Sequence, residues 1–320
     1  MPGLLQGDIR GGRGGGGDRR GARGGRRRGR PLSGRRWRRG TAETVRVALG
    51  GEVRTAPAHD PLGRPIEAAF ALVEDGETAV VDTAAASGLP LVEAAARDAE
   101  GASTYGTGEL IAAAVAAGAR RVLLAAGAAP PPTAASARSR RCASAAVSAG
   151  HRWAVLCDVR TTFEDSARIF GPQKGADPAA VGRLTERLER VAGELPRDPR
   201  GVPMSGAAGG LSGGLWAAFD ADLQPGAEFV LDLLDFDRRL HACEAAIGGE
   251  GRIDAQSLEG KVVGRIAARC AAARDLHVIV GQDALDRTVV GTLPIRSIRE
   301  AGTLTAIRTA AHEIATSPGP

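Results

Sequence analysis

The segment GEGRIDAQSLEGK, residues 249–261, carries carboxylates and a guanidinium among glycines. Glu250, Arg252 and Asp254 follow an apolar run typical of a strand and precede one typical of a helix. Glycine lets backbone approach a ligand closely, and a carboxylate can ligate Mg²⁺ or accept a hydroxyl proton. This spacing predicts a site for a metal-bound phosphate or a hydroxylated acid. A second interpretation is structural, with Asp254 as the N-cap of the following helix.

Lysine usage singles out two further cations. The chain has 42 Lys plus Arg, and only Lys174, in FGPQKGA, and Lys261, in LEGKVVG, are lysines. A compact ammonium on a flexible stem suits contact with phosphate. Both are therefore candidate ligand-binding residues, and the alternative is that both are solvated. The functional interpretation is stronger for Lys174, because it lies in a Gly-Pro loop, than for Lys261, which lies inside a predicted helix.

The segment ASTYGTGEL places hydroxyls and glycines at the start of a helix predicted over about 107–118. Backbone N–H groups and the helix dipole attract anions at such a start. The candidate anion-binding residues are Ser103, Thr104, Gly106, Thr107 and Gly108. The same residue types are common in helix capping, so the signal is open to both interpretations. SGAAGGLSGG, before Leu215, is open to the same two.

The elements that must position these groups alternate between strands and helices. PIEAAFALVEDGETAVVD predicts a β-hairpin around Asp75-Gly76. Buried strands are predicted for RVLLAAG, HRWAVLCDV, CEAAIGG and DLHVIVGQD, and a helix is predicted for EFVLDLLDFDRRL. A helix over 177–192 has Asp177 as its N-cap. The chain is therefore predicted to be α/β with mostly parallel strands, and Asp158, near the end of HRWAVLCDV, becomes a candidate because such sheets bind ligands at the carboxyl ends of their strands.

Charge divides the chain into a basic head and a mildly acidic body. Residues 1–40 hold 13 Arg against Asp8 and Asp18, a net charge of +11, so the other 280 residues carry −6 of the total of +5. The cysteines form no C-x-x-C pair and the histidines no metal-ligand spacing. No apolar run approaches the ~20 residues that span a bilayer. We therefore expect a cytoplasmic enzyme with no membrane partner.

Four strings make the body recognisable: ASTYGTGELI, FGPQKGAD, GAAGGLSGGL and GEGRIDAQSLEGK, in this order. They resemble the glycerate kinase family, whose members transfer the γ-phosphoryl group of ATP to glycerate. HDPLGRPIEAAF, AAASGL and VIVGQDALD are similar to the family too. The resemblance covers the chain from about Thr41 to Thr305.

The resemblance implies a fold, a reaction and cofactors. It implies two α/β domains, one Rossmann- or flavodoxin-like and built from both chain ends, approximately 41–90 and 250–315. The second is inserted between them, approximately 91–249, and ATP, Mg²⁺ and glycerate would lie in the cleft. It further implies phosphoglycerate as product, a role in glyoxylate metabolism, and a homodimer as one arrangement it allows.

Within that family we assign roles by inference from phosphoryl-transfer chemistry. Asp254 is the expected base or metal ligand and Glu250 the expected second Mg²⁺ ligand. Arg252 and Lys174 are expected on phosphate or on the glycerate carboxylate.

Three family motifs are missing. Members typically begin with a strand and a loop resembling A-P-D-S-F-K-G-S and later show D-G-G-E-G-T, and they carry a G-G-S-A-T-x-D-G-G loop where this chain has GAAPPPTAASARSRR. With suitable codons, shifting the reading frame of RRWRRG by one base gives Gly-Asp-Gly-Gly-Glu-Gly. Shifting the reading frame of GAAPPPTA by two bases gives Gly-Ser-Ala-Thr-Thr-Asp-Gly-Gly. We hypothesise that residues 1–40, disordered by composition, and 128–150 are out-of-frame translation. An uninterrupted frame on resequencing the gene would reject this.

Two alternative functions remain open at this point. The Arg/Gly-rich head resembles RGG tails that bind RNA through charge and stacking. It carries one aromatic residue, Trp37, where such tails usually interleave several, and the body has no nucleic-acid module. The other alternative is a folded but catalytically impaired glycerate kinase relative, because the first strand and two loops depart from the family pattern.

Overall fold

The computed structural model describes residues 40–127, 150–254, 257, 262–271, 274–285 and 294–316. These residues form two β-sheets and the helices that pack against them. The first has six strands in the order β1 to β6, and the second has three in the order β7 to β9. Their bounds are β1 Gly51–His59, β2 Pro65–Val73, β3 Thr78–Asp82, β4 Arg121–Ala126, β5 Arg152–Cys157, β6 Asp222–Pro225, β7 Ala245–Ile253, β8 Asp275–Asp283 and β9 Ile295–Glu300.

Ten α-helices accompany the strands in the described ranges. They are α1 Thr41–Leu49, α2 Thr83–Ser87, α3 Tyr105–Ala116, α4 Ser166–Phe170, α5 Pro178–Gly193, α6 Leu211–Phe219, α7 Gly226–Leu233, α8 Phe236–His241, α9 Val262–Cys270 and α10 Leu304–Thr316. None of the helices in these ranges combines the length and apolar character that crossing a membrane requires.

The first sheet begins as an antiparallel hairpin and continues as a parallel sheet. β2 and β3 pair with Ala71 opposite Val80, so the predicted hairpin around Asp75-Gly76 is confirmed. From β3 onward every pair is parallel, with β4, β5 and β6 added in chain order. The second sheet is parallel throughout. The prediction of an α/β fold rich in parallel strands is confirmed.

Helices cover both faces of each sheet, as parallel strands require. One face of the first sheet packs against α3 and α6 through side chains such as Leu110 and Leu215, and the other packs against α1 and α7 through Val45 and Phe229. The second sheet has α9 on one face and α10 on the other. The helix α7 belongs to both units, because Leu231 packs into the core beneath the second sheet.

Strand pairing groups the chain differently from the predicted domains. We expected 41–90 to join 250–315, with 91–249 inserted. Instead β3 hydrogen-bonds to β4, with Asp82 opposite Ala125, so 51–82 and 121–225 share one sheet while 245–300 forms the other. The reason is that β2 pairs with one edge of β3 and β4 with the other, so β3 has no edge left for β7.

The predicted helix EFVLDLLDFDRRL is divided in two. The helix α7 ends at Leu233 and α8 begins at Phe236, and Asp235 between them has φ of 52°. A left-handed residue cannot continue a right-handed helix, so the chain turns there. The predicted helix over 177–192 is confirmed as α5, and Asp177 caps it by accepting from the Ala180 N–H at 2.7 Å.

Candidate active site

The carboxyl ends of the parallel strands in the first sheet lie side by side. Asp82 ends β3, Gly127 follows β4 and Asp158 follows β5. The Thr83 hydroxyl ties two of these ends together, because it donates to the Ala125 carbonyl at 3.1 Å and accepts from the Gly127 N–H at 3.0 Å. The predicted residue Asp158 is exposed and stands where open α/β sheets bind ligands.

Lys174 is held by the tight turn FGPQKGA between α4 and α5. The Lys174 N–H donates to the Gly171 carbonyl at 2.9 Å within a 3-10 turn that spans Pro172–Lys174. Gly175 follows with φ of 93°, a conformation that only glycine adopts without strain. The glycines and the proline of this string therefore fix the direction from which the lysine leaves the backbone.

The Lys174 side chain is buried, with 6% of its surface exposed. Burial lowers the pKa of its ammonium from 10.5 to about 8, and the negative charge of Asp158 partly opposes that shift. The ammonium lies 5.5 Å from the centroid of the Phe170 ring. Asp158 is the described residue whose negative charge acts on this ammonium. A buried cation in this state favours an anionic ligand.

The glycines and Thr107 at the start of α3 are buried in packing contacts. A side chain at Gly106 would meet the His59 carbonyl oxygen at 1.9 Å, so glycine lets α3 approach the end of β1. The Thr107 hydroxyl lies 2.7 Å from that of Ser87, and both residues are fully buried. Gly108 is buried as well. These contacts support the packing interpretation of Gly106, Thr107 and Gly108, and their role toward an anion stays a prediction.

Ser103 and Thr104 precede α3 and lie beside the turn HDPLGR. The Ser103 N–H donates to the Pro61 carbonyl at 2.8 Å, and its hydroxyl accepts from the Tyr105 N–H at 3.0 Å. Thr104 is the residue before the helix, and its carbonyl accepts from the Thr107 N–H at 3.1 Å. Both residues are therefore engaged in shaping the loop, and a contact with a ligand remains untested.

The second glycine-rich segment, GAAGGLSGG, is a packing element. Side chains added at Gly210 and Gly213 would meet the ring of Phe163 at 2.8 and 2.7 Å, and that ring is fully buried. The Ser212 hydroxyl points inward and donates to backbone carbonyls, including that of Ser205 at 2.8 Å. The geometry favours the structural interpretation over an anion-binding one.

At the second sheet, the acidic-glycine segment lies within a strand. We expected Glu250 and Arg252 in a loop after a strand, but β7 continues to Ile253 and pairs them with Val280 and Gln282 of β8. That expectation was wrong, because the glycines at 248 and 249 pair with β8, and Gly251 lies within the strand without ending it. Alternate strand residues share a face, so the two side chains project together from the carboxyl end of β7.

Asp254 adopts the capping geometry that the alternative interpretation predicted. Its Oδ1 accepts from the Ser257 N–H at 3.1 Å, while the Ser257 hydroxyl accepts from the Asp254 N–H at 3.2 Å. This is the reciprocal pattern of a capping box. The other oxygen, Oδ2, lies 3.8 Å from Nε of Arg252. Capping therefore leaves one oxygen beside Arg252, and a chemical role for Asp254 stays compatible with it.

The predicted site residues thus form two groups, one at the edge of each sheet. Lys174 and Asp158 interact electrostatically at the first, and Arg252 and Asp254 lie together at the second. Convergence of the two groups around one ligand stays a prediction. Lys261 lies outside the described residues.

Sequence reasoning missed Asp82. Burial raises the pKa of its carboxyl group, and a hydrogen bond from the Ala84 N–H at 2.9 Å opposes that shift. The signal was present in AVVDTAAAS, where an apolar run ends on an aspartate. Asp82 lies at the ligand-binding edge of the sheet because β4 and β5 follow β3 in the strand order. The order of strands cannot be predicted from one segment.

Comparison with known proteins gives a consistent result. The sequence model of the glycerate kinase family matches residues 39–130 and 135–313. Glycerate 2-kinase of Escherichia coli K12 is 33% identical over 258 residues, which cover 70% of this chain and 68% of that protein. Glycerate kinase of Bacillus subtilis 168 is 31% identical over 315 residues, with 82% and 81% covered.

A solved structure assigned as glycerate kinase 2 of Salmonella typhimurium LT2 is also similar. It superposes with a TM-score of 0.65 at 27% identity and covers 86% of each chain. The family match begins at residue 39, close to the end of the basic head, and resumes at 135. The match is interrupted between residues 130 and 135, inside the segment for which a frame shift was hypothesised, and its bounds leave that hypothesis a prediction. The hypothesis for 1–40, of which residues 1–39 lie outside the described residues, stays a prediction as well.

Proposed function

Because the chain belongs to the glycerate kinase family, we propose that it transfers the γ-phosphoryl group of ATP to glycerate and releases phosphoglycerate and ADP. The structural observation that carries the proposal is the buried ammonium of Lys174 beside the charge of Asp158. Keeping a cation away from water is unfavourable unless an anion binds there. Both substrates of this reaction are anions, and this position lies at the edge where α/β sheets bind ligands.

Phosphoryl transfer depends on positioning and charge neutralisation more than on covalent help from the protein. In this proposal a carboxylate accepts the proton of the attacking glycerate hydroxyl, and cations hold the phosphates. Asp254 is the proposed base, and Arg252, which is 60% exposed beside it, is the proposed phosphate-binding cation. Glu250 projects from the same strand face as Arg252.

The residues fit a magnesium ion that arrives with ATP. Mg²⁺ prefers oxygen ligands and is usually held by one or two carboxylates together with substrate phosphates. Among the described residues no three carboxylate, histidine or cysteine side chains cluster as a metal site. Asp254 places its Oδ2 3.8 Å from Nε of Arg252, and Glu250 supplies a second carboxylate two residues from Arg252. Bound Mg²⁺ would neutralise the negative charge that develops during phosphoryl transfer.

We further propose the 2-hydroxyl of glycerate as the acceptor. The support is the name of the E. coli relative, a glycerate 2-kinase that is 33% identical to this chain. The 2-hydroxyl is adjacent to the carboxylate, so a cation that holds the carboxylate also fixes the position of this hydroxyl.

The test is a coupled assay of ADP release with ATP, Mg²⁺ and D-glycerate, in which ³¹P NMR identifies the product. We expect 2-phosphoglycerate from the purified chain and at least a ~100-fold loss of kcat for Asp254→Asn. The matched control is Asp222→Asn at the amino end of β6, which should keep full activity. A folded chain that releases no glycerate-dependent ADP contradicts the proposal, and one that binds both substrates without turnover supports the impaired relative instead.

A further inference from the structure

The ends of β3 and β4 are joined by a buried hydroxyl group. Thr83, the first residue after β3, is fully buried. Its hydroxyl donates to the Ala125 carbonyl at 3.1 Å and accepts from the Gly127 N–H at 3.0 Å. A hydroxyl carries a donor and an acceptor together, so one side chain can make both bonds. Because its partners flank Ala126, the last residue of β4, this hydroxyl fixes the point where the chain leaves β4.

Strand pairing does not extend to this point. The ladder between β3 and β4 ends with Asp82 opposite Ala125. Past that pair, the Gly127 N–H makes a backbone contact within β4's own chain, to the Ala125 carbonyl at 3.1 Å. The Thr83 side chain is therefore what links the two strand ends here, and a variant without its hydroxyl would keep the ladder but lose this link.

Asp82, Thr83 and Gly127 meet at one place, which we call the β3–β4 corner. A Cβ atom built on Gly127 would lie 3.8 Å from Oγ1 of Thr83 and 3.9 Å from Oδ1 of Asp82, so the hydroxyl and the carboxylate both border this glycine. Oδ1 also accepts from the Ala84 N–H at 2.9 Å. The position of the Asp82 carboxylate relative to the end of β4 therefore depends on the Thr83 link.

The Asp82 carboxylate favours a ligand that brings positive charge. Burial raises its pKa and the Ala84 hydrogen bond lowers it, while no cation of the described residues contributes to that pKa. The buried cation Lys174 interacts with Asp158. A partly desolvated carboxylate is stabilised by a positive charge nearby. Mg²⁺, which accompanies ATP, supplies such a charge and prefers carboxylate oxygens among protein ligands.

We infer that Thr83 is a positioning residue for the magnesium-bound nucleotide, because its hydroxyl links the ends of β3 and β4 and so holds the Asp82 carboxylate in place to meet the metal ion. The inference rests on the proposed function in one respect, that the ligand is Mg–ATP. It adds a carboxylate of the first sheet to those of Glu250 and Asp254, and it requires both sheet edges to face one nucleotide.

Nucleotide binding in the absence of glycerate tests the inference. Calorimetric titration should show that Thr83→Val and Asp82→Asn each weaken the affinity for Mg–ADP by at least about tenfold. The affinity for ADP in EDTA should change less than about twofold, because the effect acts through the metal ion. Thr83→Ser keeps the hydroxyl and should restore Mg–ADP affinity to within about twofold of wild type. Unchanged Mg–ADP affinity in Thr83→Val or Asp82→Asn would overturn the inference.

A double-mutant cycle separates positioning from a general loss of structure. If Thr83 acts through Asp82, the double variant should bind Mg–ADP no more weakly than Asp82→Asn alone. Additive losses would show that Thr83 acts independently of Asp82, against the inference. Thr185→Val is the matched control, since it removes a hydroxyl that donates to the Val181 carbonyl within α5, and it should bind Mg–ADP normally. Asp177→Asn, at the cap of α5, should do so too.

Gly127→Ala keeps the inference testable if Thr83→Val fails to fold. The added methyl group would make ordinary van der Waals contacts with the corner, so this variant should fold. We expect it to weaken Mg–ADP binding by about tenfold, because the methyl group occupies space beside the carboxylate. Wild-type affinity in this variant would show that the nucleotide does not reach the corner.

The same measurements distinguish this inference from the proposed function. Mg–ADP binding that depends on Asp82, in a folded chain that makes no phosphoglycerate, would overturn the proposed function and leave the inference standing. Phosphoglycerate formation by a chain whose Mg–ADP affinity is independent of Asp82 would do the reverse.

Discussion

The ammonium of Lys174 lies 5.5 Å from the centroid of the Phe170 ring, four residues earlier in the chain. Both residues belong to the short segment between β5 and α5. This contact compensates only part of the loss of hydration, because burial remains the largest influence on the pKa of Lys174 and lowers it to about 8. The lysine is therefore costly to keep charged while no ligand is bound, and its titration becomes measurable.

Glycerate affinity should depend on the charge of Lys174. With the pKa of the ammonium at about 8, the dissociation constant should be flat up to about pH 7.5 and rise about tenfold per pH unit well above 8. Titration calorimetry across pH 6.5–9.5 measures this dependence. The profile should be absent in Lys174→Arg if that variant still binds, because arginine stays protonated throughout. A flat profile for the wild-type chain would show that Lys174 does not contact the acid.

Removing the buried charge should stabilise the fold. A lysine whose pKa is lowered from 10.5 to about 8 binds its proton more tightly in the unfolded chain. Wild-type stability therefore rises with pH between about 8 and 10.5, and the full cost is present below 8. We expect Lys174→Met to raise the free energy of unfolding at pH 7 by about 2–3 kcal/mol. Urea unfolding at pH 7 and pH 10 measures the gain, which should shrink at the higher pH.

The helix-capping role of Asp254 and its proposed catalytic role can be tested separately. Asparagine caps helices about as well as aspartate, so Asp254→Asn should leave stability within about 0.5 kcal/mol of wild type, while Asp254→Ala costs about 1 kcal/mol. If the carboxylate acts on substrate or metal, both variants lose activity to a similar extent. Thermal unfolding and the coupled assay, run on both, give the comparison. Full activity in Asp254→Asn would leave the residue with a capping role alone.

The glycines that face Phe163 should tolerate no side chain. A methyl group at Gly213 would lie 2.7 Å from the Phe163 ring and 2.8 Å from the Ser205 carbonyl oxygen. We expect Gly213→Ala to cost at least about 2 kcal/mol, since the neighbouring groups are buried and cannot move freely. Gly182→Ala in α5 is the control, because open space surrounds its Cβ position and alanine there should stabilise by about 0.5–1 kcal/mol. Similar unfolding midpoints for both variants would contradict this packing role.

An ion network joins the units at α7 and α9. Arg269 on α9 is 18% exposed and contacts Glu228 and Asp232 at 2.6 Å and Asp237 at 3.1 Å. Arg269→Met leaves three carboxylates without their shared cation, and we expect a loss of about 1–2 kcal/mol that decreases in high salt. Arg238→Met, at a largely exposed ion pair, should change stability by less than about 0.5 kcal/mol. Denaturant unfolding at low and high salt compares the two.

Local patterns predicted most of the elements. The hairpin around Asp75-Gly76 and the α5 helix with its Asp177 cap follow from alternation, helical periodicity and capping chemistry. Each of these signals depends on residues within a few positions of one another. The family strings, from ASTYGTGELI to GEGRIDAQSLEGK, likewise carried the family assignment, which the family match supports.

The sequence alone therefore determined the kinds of elements, most of their limits and the family, because periodicity, turn chemistry and motif strings are local properties. The tertiary structure decided which strands share a sheet, that Gly210 and Gly213 make room for Phe163, and that Lys174 is buried. These facts depend on groups far apart in the chain meeting in space. The sequence around a lysine does not show whether its side chain is solvated or buried. The pKa of about 8 for Lys174 follows from the groups that bury it in the tertiary structure.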